Sequence, residues 1–287
     1  MLSLKKIFLV SKGEYVRWLV NPRAVLLFVI WIFISNCALV PLSECADTMQ
    51  MKLNIFEPFI AVGNSPLLML ILPLGYITLM ADFPRTNRNA LSVVSRCGRL
   101  NWGLGQLLFS VYAAITYCTV LLITSTLPLA AKSFIGNEWS DAVRLYGYFF
   151  PDRAGSAVTS LLPKNLYNQL SPFHAVLNTF LLMLLCLLTL SAVMLLLRLI
   201  GYKKLGFFAA CALIAAGAAL TGISSPTMWA TPIGNAILWK HFTEYYREPV
   251  FALPLSYLYF AVFIAALVIG SIAATHKISF EMVLEDD

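Results

Sequence analysis

The chain has 287 residues; 60% of them are hydrophobic, only 12% are charged, and the formal net charge is +6. Soluble domains carry roughly 45–50% apolar and about 25% charged residues, so this chain must place much of its apolar surface in lipid. The composition excludes disordered, collagen-like and coiled-coil proteins and argues against a nucleic-acid partner despite the positive charge. We therefore expect an all-α integral membrane protein whose first partner is the lipid bilayer.

Residues 1–21 have the pattern of an amphipathic surface helix. Apolar and basic side chains alternate in them at helical spacing: Leu4, Lys5, Phe8, Lys12, Tyr15, Arg17, Trp18 and Leu19. A basic amphipathic helix with aromatic edges lies in the plane of the membrane interface. Asn21-Pro22 is expected to end it, since the residue before a proline disfavours the helical region.

Six uncharged stretches can each hold one spanning helix, which needs about 20 apolar residues. The predicted helix cores are Ala24–Val40, Leu67–Ala81 with some preceding residues, Trp102–Leu129, Phe173–Leu197, Leu205–Ile223 and Leu255–Thr275. Gly63, Pro66 and Pro73 interrupt the second stretch, which lipid tolerates where neighbouring helices satisfy the freed backbone groups. The cores contain no Asp, Glu, Lys or Arg, which argues against an ion-coupled carrier and an intramembrane hydrolase.

The basic residues predict the orientation. Thirteen of the 20 Lys and Arg residues lie before the first span, between the second and third, between the fourth and fifth, or after the sixth. The positive-inside rule places these connections and both termini in the cytoplasm.

The connection 82–101 between the second and third spans is the most informative cytoplasmic segment. Asn89 is positioned to cap a short helix with Leu91 and Val94 on its apolar side. Its polar surface is provided by Ser92, Ser95, Arg96 and Arg99. Two interpretations remain open here: a helix that docks into a groove on a soluble partner, or a basic loop that rests on anionic lipid.

The outward connections, 131–173 and 224–254, are long and rich in aromatic residues. The second contains the residues that we nominate for an extracellular gate: Trp229, Trp239, Phe242, Tyr245 and Tyr246. An ordinary aromatic belt at the membrane interface is the alternative. His241 with Glu244 and Glu248 is interpreted as interfacial polar surface, because no second His or Cys completes a metal site.

The remaining polarity inside the spans is mild. The candidate pathway-lining residues are Asn36, Gln106, Tyr112, Thr116 and Asn178, and such a lining suits an amphipathic cargo better than an ion. The chain lacks the GxxxxGK[ST], HExxH and GxSxG motifs. We therefore expect no enzymatic activity, cofactor or metal on this chain, and interpret its six Cys residues as small apolar side chains.

These features together resemble the type-2 permeases of bacterial ATP-binding-cassette exporters, which are six-helix membrane subunits. The residues that carry the resemblance are Lys12–Trp18 followed by Asn21-Pro22-Arg23, and Ala90–Leu108, in which Ser95-Arg96 and Gly105-Gln106-Leu107-Leu108 match the family pattern. Gln106 stands where the family usually has a basic residue, and Arg85 and Arg88 stand where acidic residues are frequent.

The resemblance implies a single permease domain over 1–287, with 1–21 as an elbow helix and 82–101 as the coupling segment. It implies a bacterial cytoplasmic membrane location, a second permease subunit, for which a homodimer is favoured over a heterodimer, and two ATPase subunits that hold ATP and Mg²⁺. The ATPase contacts would come from Arg85, Arg88, Asn89, Leu91, Val94, Ser95, Arg96 and Arg99.

The expected function is outward transport of an amphipathic substrate, with a peptide toxin or antimicrobial peptide favoured over a lipid, glycan or drug. The alternative is a membrane carrier outside this family, or a scaffold or immunity protein. A membrane enzyme is the third hypothesis, for which the sequence offers no catalytic pair.

Overall fold

The structure is a computed structural model that describes residues 2–85, 88–153, 157–202, 204–244 and 249–275, with the backbone alone described at 88–91 and 153. About 80% of the chain is helical. The α-helices are α1 Leu4–Leu19, α2 Leu26–Ile34, α3 Val40–Met49, α4 Glu57–Asn64, α5 Leu68–Leu79, α6 Arg88–Cys97, α7 Arg99–Thr126, α8 Asp141–Phe149, α9 Ala157–Leu161, α10 Lys164–Tyr167, α11 Pro172–Leu199, α12 Leu205–Gly222, α13 Pro232–Ala236 and α14 Leu253–Thr275.

Short 3₁₀ and π segments extend or connect these helices. They are Pro22–Val25, Ser35–Leu39 (the π segment), Leu127–Lys132, Pro151–Arg153, Pro226–Ala230 and Leu238–His241. The short strands β1 Leu53–Asn54 and β2 Ser133–Phe134 pair in parallel.

Among the described residues, five helical segments are long and apolar enough to cross a membrane: Pro22–Met49, Arg99–Lys132, Pro172–Leu199, Leu205–Gly222 and Leu253–Thr275. The pair α4 and α5 makes a sixth span if its two bent halves are counted together. The prediction of an all-α membrane protein is therefore confirmed at the level of five to six candidate spans.

The first span runs further than the sequence predicted. The helix does not end at Val40 but continues through the π segment and α3 to Met49. Its last turns carry Asp47, whose carboxylate accepts two hydrogen bonds from Lys132 Nζ at 2.7 and 2.6 Å. A charged residue was expected to end the span, but this charge is paired at the helix end instead.

The second span is not one straight helix. Its halves α4 and α5 meet at an angle of 84°. Ser65, which precedes Pro66, has extended backbone angles of φ −74° and ψ 122°, as the steric conflict with a following proline favours. The proline in the sequence predicted an interruption, but the size of the bend depends on partners far away in the chain.

The helix α11 forms the centre of the bundle. It packs against α4, α7, α12 and α14, and 61% of the residues in its most apolar stretch are buried. The helix α12 approaches the α11 backbone closely at Gly206, where an added Cβ would lie 2.9 Å from the Met194 carbonyl oxygen.

The connections form two opposite faces of the bundle. We call the end with α1, 80–85, 88–101, 199–202 and 204 the basic face, and the end with 50–56, 127–153, 157–171, 224–244 and 249–252 the aromatic face. On the aromatic face, the β1–β2 pair joins the connection 50–56 to the connection that begins at residue 127. On the basic face, Lys6 Nζ of α1 donates to the Arg96 carbonyl of α6 at 3.2 Å.

Replacing Gly206 by Ala should lower the stability by about 1–3 kcal/mol, because the new methyl group would press on the backbone of Met194, which cannot rotate away. Gly222→Ala at the other end of α12 meets nothing within 4 Å and should be neutral or slightly stabilising. Thermal unfolding in detergent, followed by tryptophan fluorescence, compares the two. Equal melting temperatures would show that α12 does not pack this closely on α11.

Candidate functional site

The N-terminal helix α1 docks along α7 on the basic face. Ser3 N donates to Asn101 Oδ1 at 2.9 Å, and the hydroxyls of Tyr15 and Thr116 lie 2.7 Å apart. Between these bonds, Val10 packs on Gly105, where a side chain would collide with it. The side of α1 that faces α7 is therefore fixed, while the other side exposes the apolar residues Leu4, Phe8 and Leu9.

The helix α6 has one side anchored and one side exposed. Val94 and Cys97 are buried in the core, whereas the side chains of Ser95 and Arg96 are exposed. Within the predicted ATPase contact set, the side chains of Arg88, Asn89 and Leu91 lie outside the described residues, and Arg85 and Arg99 are half-buried. Val94 holds α6 to the bundle, so Ser95 and Arg96 are the two described members of the set that are fully exposed.

A bidentate ion pair joins the start of the first span to the end of the second. Arg23 Nη1 and Nη2 donate to Asp82 Oδ2 and Oδ1 at 2.7 and 3.0 Å. Asn21 Oδ1 accepts from Arg23 N at 3.0 Å and so shapes the turn that presents the guanidinium. This pair ties the beginning of the 82–101 connection to the turn after α1.

Glu14 on α1 adds a second electrostatic link at this end. Burial raises the pKa of Glu14 above its ordinary value, and the charges of Arg17 and Arg85 oppose that rise. Since Arg85 belongs to the 82–101 connection, the charge of α1 is coupled to that connection as well as to its own helix.

The structure does not bring the five candidate pathway residues together. Asn36 is exposed and donates to Ile32 O of its own helix at 3.0 Å. Tyr112 and Thr116 face Tyr15 of α1, and Asn178 Oδ1 accepts from Tyr257 OH at 2.7 Å. Gln106 is fully buried, and neither of its amide atoms has a hydrogen-bond partner within the described part of the chain.

The candidate gate residues do converge on the aromatic face. Trp229 stacks on Phe251 with ring centroids 4.4 Å apart and meets His241 edge-on at 4.8 Å. Phe242 follows His241, with ring centroids 6.4 Å apart. Tyr245 and Tyr246 lie outside the described residues. Trp229 and Phe242, which were predicted to lie together in the gate, thus both lie next to His241. The sequence had indicated His241 only as interfacial polar surface.

Asn64, the last residue of α4, holds the remaining gate residue, Trp239. Its Oδ1 accepts from Leu238 N at 2.9 Å and from Trp239 N at 3.3 Å, and its backbone oxygen accepts from Trp239 Nε1 at 2.9 Å. Its Nδ2 donates to Ile60 O at 2.8 Å and to Thr179 Oγ1 at 3.2 Å. One buried amide therefore connects the bend of the second span, the central helix α11 and the 3₁₀ segment Leu238–His241.

His241 is fully buried and belongs to a chain of polar groups. Its Nδ1 lies 3.2 Å from Ile237 O and 3.1 Å from Leu238 O, and its Nε2 lies 2.8 Å from Ser256 Oγ. Ser256 in turn donates to Asn235 Oδ1 at 2.8 Å. The chain fastens the segment 235–241 to the first turn of α14.

A buried carboxylate fastens the other long connection to the second span. Glu57 is fully buried at the start of α4. Its Oε2 accepts from Asn54 N at 3.0 Å and Ser140 Oγ at 2.8 Å, and its Oε1 accepts from Ser140 N at 2.7 Å. Ser140 also caps α8, since its Oγ accepts from Val143 N at 3.3 Å.

A cavity of about 810 Å³ lies between α8, α9 and α10 on the aromatic face. Its lining includes Arg144, Lys164 and Glu244, and Lys164 Nζ lies 3.4 Å from Glu244 Oε1. Over the described residues, no cluster of three or more His, Cys, Asp or Glu side chains is placed to hold a metal ion.

Sequence reasoning missed Glu57, Asn64, Asn235 and Ser256. Each lies within or beside an apolar stretch, with Ser65 as a polar neighbour of Asn64, and nothing in the local sequence indicates its partner. The available signal was that a lone polar residue next to Pro58 or Pro66 at a span interruption needs a partner in lipid.

Glu57→Gln should lower the stability by about 1–3 kcal/mol, because an amide cannot accept from all three of the Glu57 donors and leaves at least one of them unpaired. The matched control is Glu138→Gln, which changes an exposed carboxylate on the same connection. The midpoint of thermal unfolding in detergent is the measurement. An unchanged midpoint for Glu57→Gln would mean that the buried hydrogen bonds of Glu57 contribute nothing to the stability.

Asn64→Leu should loosen the segment 237–241, because it leaves Leu238 N and Trp239 N without their buried acceptor. Hydrogen–deuterium exchange of the peptide that contains Leu238 and Trp239 should become at least tenfold faster than in the wild type. Asn36→Leu is the control, since Asn36 is exposed and bonds only to its own helix among the described contacts. Equal exchange in the two variants would contradict the central role of Asn64.

The sequence matches no family model, no curated protein and no solved structure. A proposal for function therefore rests on the arrangement of the two faces and on the resemblance drawn from the sequence.

Proposed function

We propose that this chain is the membrane-spanning permease subunit of an ATP-driven exporter of the ATP-binding-cassette type. It moves an amphipathic substrate outward, with a peptide toxin or antimicrobial peptide favoured. ATP and Mg²⁺ are held by two separate ATPase subunits, and a second permease copy completes the assembly. The chain itself is not an enzyme.

The observation that supports this function most is the placement of α6. The helix is anchored to the bundle by Val94 and Cys97 and turns Ser95 and Arg96 away from it. A soluble partner that contacts the exposed side can push on the bundle, because the opposite side of the same helix is packed against α1 and α7. A basic loop lying on lipid would need no such anchored side.

The contacts around α6 supply a route for that movement. Lys6 of α1 donates to the Arg96 carbonyl, and the Arg23–Asp82 pair ties the turn after α1 to the end of the second span. A displacement of α6 would therefore reach α1, the first span and the second span together. This position supports an elbow role for α1, with its exposed apolar side in the membrane interface.

The orientation of the assembly follows from charge. With the basic face in the bacterial cytoplasm, as the positive-inside rule requires, α6 meets the ATPases, and both termini lie on the same side. The aromatic face is then extracellular, and the segment from Pro226 to His241 is its gate. The apolar character of the spans suits a cargo that is itself amphipathic.

Arg96→Glu should abolish co-purification of an ATPase subunit and reduce transport at least tenfold, because it reverses the exposed charge on α6. The tagged full-length chain is isolated from its native membrane, and P-loop subunits are identified by mass spectrometry. Arg144→Glu is the control: Arg144 is also an exposed arginine, on the aromatic face, and its reversal should leave ATPase binding intact.

Two results would overturn the proposal. One is a wild-type chain that carries no ATPase from its native membrane. The other is substrate movement in vesicles depleted of ATP, which would favour a carrier outside this family or a scaffold or immunity protein.

A further inference from the structure

We propose that His241 is a proton-operated latch on the gate, in which protonation of the buried imidazole releases Leu238–His241 from the outer end of α14. The latch regulates the gate named above, so its biological meaning rests on the proposed function. Its operation rests on the polar chain from His241 through Ser256 to Asn235, and release must also break the bonds of Asn64 to Leu238 N and Trp239 N and the 2.7 Å bond from Val250 N to the His241 carbonyl.

The positions of the acceptors determine which ring nitrogen carries the proton. Nδ1 of His241 lies between two carbonyl oxygens, those of Ile237 at 3.2 Å and Leu238 at 3.1 Å. A lone pair in that place would be repelled by both oxygens, so we assign the hydrogen to Nδ1. In the neutral ring Nε2 is then an acceptor, and its neighbour is the Ser256 hydroxyl at 2.8 Å.

The Ser256 hydroxyl serves two acceptors with one hydrogen. Asn235 Nδ2 donates to Trp229 O at 2.6 Å and Thr231 O at 2.9 Å, so its Oδ1 must be the atom that faces Ser256 Oγ at 2.8 Å. With a neutral ring, either Nε2 or Asn235 Oδ1 lacks its donor. A second proton on the ring would complete the chain, because Nε2 would donate to Ser256 and Ser256 to Asn235.

Burial opposes that proton more strongly than the completed chain favours it. The ring is 0% exposed, and a buried cation without a counter-ion loses more in hydration than one added hydrogen bond returns. Burial accordingly lowers the pKa of His241 to about 4, with the bonds to the carbonyls of Leu238 and Ile237 opposing it. In the released segment the ring would meet water and regain an ordinary pKa near 6.5.

The charged residues next to His241 in the chain are engaged elsewhere. Lys240 Nζ donates to Ser224 Oγ at 2.6 Å and lies 4.4 Å from the Trp239 ring centroid, and Glu244 pairs with Lys164. The ring therefore has an uncharged set of neighbours in the described contacts.

The elements packed against the ring supply aromatic rings and hydroxyls. The Trp229 ring meets the His241 ring edge-on, and the Phe251 ring lies next to the His241 ring at a tilted angle. On α14, the phenol of Tyr257 bonds Asn178, and that of Tyr259 bonds Ala230 O. The Phe242 ring and the Ser256 hydroxyl also lie next to the His241 ring, and none of these described neighbours contributes a carboxylate to compensate a second proton.

The direction of the effect follows from linkage. Because the released state binds the proton more tightly than the latched state, acidification between about pH 6.5 and pH 4 shifts the equilibrium toward release. The stabilising contribution of the neutral, buried ring is fully present above the released-state pKa and is lost as the pH falls toward 4. A gate built this way opens more readily on an acidic outer side.

Hydrogen–deuterium exchange of the full chain in lipid nanodiscs tests the latch. The amides of Leu238 and Trp239, which Asn64 holds, report release of the segment. After correction for intrinsic exchange, the opening equilibrium should increase about 20-fold from pH 7 to pH 5, as linkage requires for these pKa values. No change over this range in the wild type would overturn the proposal.

Two histidine variants separate His241 from general effects of acid. His241→Asn keeps a donor for the two carbonyls but cannot titrate, so the pH dependence should disappear. His174→Asn should retain it, since His174 is exposed and bonds Ser171 on the same face. A pH dependence that persists in His241→Asn would contradict the latch.

A second measurement covers the case in which His241→Asn does not fold. The chain has three His residues, and NMR of the wild type with isotope-labelled histidine follows each of them, with His174→Asn used for assignment. One ring should stay neutral to below pH 5, and if all three titrate near 6.5 the proposal fails. Neither measurement involves an ATPase, so a working latch without an ATPase partner would refute only the exporter assignment.

Discussion

The hydrogen-bonding demand created by the bend between α4 and α5 is the constraint on which the rest of the structure depends. Lipid offers no partner for backbone groups released by a broken helix, so protein must supply them. The 84° bend ends α4 at Asn64, whose side chain and carbonyl together receive Leu238 N, Trp239 N and Trp239 Nε1. The carbonyl that the broken helix leaves free and the side-chain oxygen of the same residue therefore position the segment 237–241.

The second span consequently connects the two faces. At its beginning Glu57 receives the donors of Asn54 and Ser140 on the aromatic face, and just after its end Asp82 pairs with Arg23 on the basic face. In between, the Tyr76 and Ser191 hydroxyls lie 2.8 Å apart, and Tyr117 OH donates to Leu72 O beside Pro73. Because the Glu57, Tyr76 and Tyr117 links are polar and buried, sliding the span along its neighbours would leave several polar groups unpaired at once. For a permease, this favours movement of the span as a unit.

The sequence predicted what depends on local composition. The length of the uncharged stretches identified the straight spans. The span predicted at Phe173–Leu197 is observed at Pro172–Leu199, and the span predicted at Leu205–Ile223 is observed at Leu205–Gly222. Alternating charge and apolarity identified α1 and α6 as helices. These properties are read within one helical turn or one bilayer thickness, so no distant partner is needed to recognise them.

What the sequence did not predict depends on partners far along the chain. Asn64 binds a backbone 174 residues away, and Glu57 binds one 83 residues away, so neither polar residue announces its role locally. The candidate pathway residues depend on partners in the same way: Asn36 and Asn178 share mild polarity, but they face different surroundings and bond to Ile32 O and to His174 O and Tyr257. Polarity shows that a residue in a span needs a partner, and only the fold shows whether that partner is protein or cargo.

Both faces hold the ends of the second span with polar contacts, but these contacts are partly exposed on the basic face and buried on the aromatic face. This difference affects how easily each face can move. The Arg23–Asp82 pair is partly exposed, with side-chain exposures of 38% and 49%, so water can replace each partner, and separating the pair costs about 1 kcal/mol or less. The contacts of Glu57, Asn64 and His241 are buried, and breaking one leaves a donor or acceptor without water. The Arg23–Asp82 contact of the basic face can therefore separate at low cost, whereas the buried contacts of the aromatic face resist separation as long as their polar groups keep their partners.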